Sequence, residues 1–82
     1  MKPKSKRELL MLVSKMRKDI DDFEGHKPLQ TRYRNYIRIL QWTLGLRGRW
    51  YPEGEGLMQK EDAIAFENEK RLRKKLRMHI ES

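Results

Sequence analysis

With 82 residues, 37% of them apolar and 39% charged, and a net charge of +8, the chain is expected to be one domain with a thin core, since at this size only roughly 60–65% of the unfolded surface can be buried. The absence of cysteine excludes disulfides, thiol catalysis and cysteine-ligated zinc, and fits a reducing, cytoplasmic setting. The longest apolar run, Leu9 to Val13, is far shorter than the ~18 residues of a membrane span, and Ser14 and Lys15 follow it with no small-residue cleavage site, so neither a membrane nor a signal peptide is expected.

The first helix is predicted over residues 5–24. Ser5 with Glu8 three residues on forms a capping box, and Leu9, Leu12, Val13, Met16, Ile20 and Phe23 make one apolar stripe at the helical period. Leu10 and Met11 lie off that stripe. Gly25 offers a left-handed stop, and Pro28 suits the first position of the next helix. The second helix, over 28–44, carries Leu29, Tyr33, Tyr36, Ile37, Leu40 and Leu44 on one side and Ile39 and Trp42 on another. Two apolar sides predict a central helix with Trp42 in the core. A glycine-rich loop, 45–56, precedes a third helix over 58–80, whose apolar side holds Ile64, Ala65, Leu72, Leu76 and Ile80. The fold class expected is therefore all-α: a small three-helix protein, a helical hairpin plus a third, basic C-terminal helix that packs across it or against a second copy.

The charge is blocked along the chain. Residues 1–18 carry a net +6, 19–25 a net −4, 26–52 a net +6 without any acid, 53–69 a net −5 and 70–82 a net +5. Nothing in the pattern points to catalysis: His26 and His79 are distant in sequence, and no nucleophile triad, zinc-protease or phosphate-loop spacing occurs. Asp19, Asp21, Asp22 and Glu24 lack the alternation and central glycine of a calcium loop. No enzyme activity, metal or cofactor is expected.

Binding is the function that remains. Arg47, Arg49, Trp50 and Tyr51 sit together in the loop, where guanidinium groups suit phosphates and aromatic faces suit exposed bases. A competing reading folds Trp50 back over the helix ends to enlarge the core. Lys70, Arg73, Lys74 and Arg77 recur on one side of the third helix, and Arg34 and Arg38 lie one turn apart on the second. In a helix-turn-helix reading, Arg34, Arg38 and Gln41, with Gln30 nearby, would face bases. The expectation is a nucleic-acid-binding protein, for DNA or RNA, working mainly through phosphates, with a salt slope near −5 if about five or six phosphates are met. The alternative is a small adaptor or inhibitor that docks on a larger protein through its basic surface and exposed aromatics; a ribonucleoprotein subunit would combine both, and a homodimer would complete the thin core.

Overall fold

A computed structural model describes residues 5–51 and 55–78 of the chain. It contains three helices, α1 (Lys6–Asp22), α2 (Lys27–Thr43) and α3 (Glu55–Lys75), and no strand among the described residues, so the fold is all-α, as expected.

Helix α1 starts where its capping box predicts. Ser5 is extended, and its Oγ accepts the Glu8 amide at 3.2 Å, satisfying one of the amides that a helix start leaves open. The helix closes at Phe23, whose amide donates to the carbonyls of Asp19 and Ile20. Gly25 then adopts φ +83°, a left-handed turn that glycine takes without steric cost. Pro28 sits in the first turn of α2, where its missing N–H is no loss. The rings of Phe23 and Tyr33 meet edge-on at 5.1 Å, and Tyr33 meets Tyr36 at 5.6 Å, which pins the turn end of the hairpin.

Helices α2 and α3 stop by a common device. Leu46 N–H donates to Gln41 O at 2.9 Å and Gly45 N–H to Trp42 O at 3.0 Å; likewise Met78 N–H donates to Arg73 O at 2.8 Å and Arg77 N–H to Lys74 O at 3.1 Å. These are the paired bonds of a Schellman cap. The left-handed residue is Gly45 (φ +75°) in one and Arg77 (φ +56°) in the other. Leu46 and Met78, the residues just beyond, join the apolar cluster. Capture of Met78 by that cluster is what ends α3 at Lys75 rather than near residue 80; residues 79 and 80 themselves lie outside the described residues. The two caps predict opposite shifts in melting temperature: Gly45→Ala lowers stability by about 1 kcal/mol, whereas Arg77→Gly raises it by about 0.5–1 kcal/mol.

The apolar cluster consists of Leu10, Leu44 and Leu46, with Leu9, Leu72, Leu76 and Met78 packed around it; Val13, Ile37 and Ala65 are buried as well. Helix α3 runs antiparallel to α1, because Arg7 donates to Leu76 O, Arg73 to Leu10 O and Arg17 to the Glu69 carboxylate. This placement changes three expectations drawn from periodicity. Leu10, off the predicted stripe, is fully buried while Leu12, on it, is exposed, since α1 is covered by α2 on one side and by α3 on the side of Leu10, Ser14 and Arg17. Trp42 is 47% exposed rather than in the core, because α3 meets the Arg38 and Gln41 side of α2 and leaves the outer side of that helix open. Ile64, assigned to the apolar side of α3, is 61% exposed, whereas its neighbour Ala65 is fully buried.

Candidate functional site

The interior that joins α3 to the hairpin is largely ionic. Glu69 of α3 is 0% exposed; its carboxylate accepts both terminal nitrogens of Arg17, one at 2.8 Å, pairs with Arg73 at 3.2 Å and accepts from Gln41 Nε2 at 3.5 Å. Arg73 also donates to Leu10 O and Ser14 Oγ. From Gln41 the network continues through Arg47, which donates to Gln41 Oε1 at 3.1 Å and to Asp62 Oδ1 at 2.7 Å. Asp62 in turn accepts two bonds from Arg38, at 3.1 and 2.9 Å. No buried side-chain polar atom among the described residues lacks a partner, which is the condition under which an ionic interior is tolerated.

Several of the arginines read from the sequence as ligand-binding therefore have internal partners. Arg47 has a side chain only 2% exposed; Arg38 and Arg73 are buried too. Arg49 pairs with Glu61 at 3.0 Å. Of the base readers in the helix-turn-helix reading only Arg34 stays exposed, because Arg38 and Gln41 face inward and Gln30 donates to Ile20 O at 3.0 Å. Trp50 and Tyr51 are exposed and meet edge-on at 5.8 Å, so Trp50 does not fold back into the core. Lys70 lies over the Phe66 ring and pairs with Glu67 at 3.3 Å. Arg34, Lys74 and Arg77 are exposed. Arg49 and the basic end of α3 lie apart: Arg49 is held by Glu61 near the start of the helix, whereas Lys74 and Arg77 stand at and just beyond its end.

Where the N-terminal half of α1 runs beside the C-terminal end of α3, the antiparallel pairing opens a groove of about 450 Å³. Arg7, Met11, Ser14, Lys15 and Lys18 line it from α1; Arg73 of α3 and Arg77 and Met78 of its C-terminal cap line the other side. Five cationic residues and no acidic one face this space. Arg73 is compensated by Glu69 beneath it, and Arg7 is steadied by the Leu76 carbonyl at 2.8 Å, one of those a helix C-terminus leaves open. The sequence reading placed Arg73 correctly on α3, put Arg77 on that helix although it is the left-handed residue just beyond its end, and missed Arg7, Lys15 and Lys18. Their signal was present: residues 7, 11, 14, 15 and 18 recur along one ridge of α1.

Asp62 shows the electrostatics of the interior most clearly. Burial raises its pKa, but hydrogen bonds from Arg38 and Arg47 and their positive charge outweigh this and hold it below the ordinary 3.8. A depressed carboxylate stabilises the fold above its unfolded pKa and loses that contribution as pH falls through the folded value. Stability should thus decline below about pH 4, and Asp62→Asn should be less stable at neutral pH with a flatter acid limb, as thermal melts across pH will show.

No protein family, curated relative or solved structure matches this chain. The fold and groove define a class only: a small all-α protein with an ionic interior and a cationic cleft along one helix pair. No described helix is long and apolar enough to cross a membrane.

Proposed function

We propose that the protein binds nucleic acid through its phosphates, and that the groove between α1 and α3 is the contact surface. The observation that supports this reading is the lining itself, five Lys and Arg residues with two methionines and no carboxylate. Such a cleft concentrates positive potential on a polyanion and offers apolar area to sugars. Lys70 and Lys74 extend the positive surface along α3. The sequence alone assigned the charge to the Lys70 to Arg77 face and to Arg47 and Arg49, with the Arg/Trp/Tyr loop as an auxiliary contact; the internal pairing of Arg47 and Arg49 keeps Arg77 in the proposed contact and adds Arg7, Lys15 and Lys18. Binding of a labelled oligonucleotide across a salt series tests it. Four phosphates neutralised in the groove give a slope of about −3 in log affinity against log salt, and affinity indifferent to salt would defeat the reading.

A second reading rests on a different observation. Tyr36, Ile39 and Trp42 are exposed along the outer side of α2, an apolar ridge suited to a protein partner. The adaptor or inhibitor function would use that ridge, and its mark would be one-to-one binding to a single protein, lost in Trp42→Ala and insensitive to salt.

A further inference from the structure

A second cavity, of about 410 Å³, lies where all three helices meet, lined by Arg17 and Ile20 of α1, Arg34, Ile37, Arg38 and Gln41 of α2, and Asp62, Ala63 and Phe66 of α3. We infer that this cavity receives one unpaired nucleobase of a single strand whose neighbouring phosphates lie on Lys70 and Arg34, so that the protein prefers single-stranded to duplex nucleic acid. The inference rests on the nucleic-acid reading above and specifies the form of polymer bound.

Size and lining agree with such an occupant. The volume is within the range of small-ligand sites, about 300–1,000 Å³, and the walls combine an apolar surface from Ile20, Ile37 and Ala63 with an aromatic ring. Of the arginines there, Arg17 is tied to Glu69 and Arg38 to Asp62, whereas Arg34 is exposed and makes no ion pair with a described residue. An occupant with a flat apolar body and a single negative group satisfies this arrangement, and a base with its phosphate is that shape.

Phe66 supplies the stacking surface. Arg17 sits 4.7 Å and Lys70 4.5 Å from its ring centroid. Arg17 is fixed by its two bonds to Glu69. Among the described residues, Lys70 is held by the ring and by an exposed contact to Glu67, an arrangement of small net strength. Lys70 stands outside the cavity lining, so a base at the cavity mouth can take the place of its ammonium on the ring, and the displaced ammonium then meets the adjoining phosphate. The cavity and the basic groove flank one ion cluster: Arg17 lines the one, Arg73 the other, and Glu69 binds both. Phe66, Lys70 and Arg73 follow one ridge of α3 that rises about 10 Å, within reach of a few linked nucleotides.

The test compares three labelled ligands with equal phosphate number: an oligothymidylate of about eight nucleotides, an abasic strand of that length, and a duplex. Phe66→Ala is expected to weaken the oligothymidylate on the order of tenfold and to leave the abasic strand and the duplex unchanged, with Phe66→Trp restoring binding. Phe66→Leu fills the space without a π-face and should behave like Phe66→Ala, which separates stacking from any loss of folding. Equal weakening of all three ligands, or of none, overturns the pocket. Lys15→Glu with Arg77→Glu serves as the reference: if that pair weakens every ligand while the Phe66 variants change nothing, the pocket fails and the groove stands. If the pair too changes nothing, both fail.

Discussion

Glu69→Gln should lower the stability of the fold by about 3–5 kcal/mol, the cost of removing one partner from a buried ion pair. Glu69 is the carboxylate on which Arg17 of α1, Gln41 of α2 and Arg73 of α3 converge. An amide in its place keeps the volume but leaves two guanidinium groups without an opposite charge. Arg17 can turn toward solvent, since its side chain is 29% exposed; Arg73 cannot, because Leu10 O and Ser14 Oγ hold it inside. The loss is therefore concentrated at the α1–α3 seam. Urea unfolding followed by circular dichroism measures it, and a change under about 1 kcal/mol would mean that the ionic interior does not carry the seam. Replacing Arg17, Glu69 and Arg73 together by Met, Leu and Met should recover most of the stability, because apolar residues of similar volume commonly substitute for a buried ionic triad.

Lys15→Glu combined with Arg77→Glu should cut affinity for nucleic acid by at least about a hundredfold, since each reversed charge turns an attraction to phosphate into a repulsion. The salt slope should become shallower by about 1.5. Both side chains are exposed, so thermal stability should change little. Lys75→Glu, on the far flank of α3 from the groove, should alter affinity by no more than about threefold. Equal effects from Lys75 and from the groove pair would indicate that overall charge, rather than the cleft, governs binding.

The elements were legible in the sequence because their signals are local. Ser5 with Glu8 marks the start of α1, and Gly25 and Gly45 mark turns at positive φ. The seam was harder to see. Glu69 lies four residues after Ala65 and three before Leu72, in the middle of the apolar side of α3. A lone carboxylate there signals a buried ion pair, but periodicity of apolar residues passes over it. For the same reason Arg38, Arg47 and Arg73 looked like surface charge although each has a carboxylate partner in another segment or one turn away. Arg7, Lys15 and Lys18 gained their meaning only when α3 ran antiparallel beside them, a tertiary fact. Trp42 was misplaced because apolar character on two sides of a helix does not state which side a neighbour covers.

The methionine methyl groups offer the sharpest test of where the polymer lies. Met11 and Met78 line the groove, while Met16 and Met58 do not, so methyl-labelled protein titrated with a single-stranded oligonucleotide carries reporters inside and outside the site. The resonances of Met11 and Met78 should shift together, saturating with the binding curve, while those of Met16 and Met58 hold. Shifts at Met58 with Met11 and Met78 unmoved would place the contact elsewhere on the surface and contradict the groove.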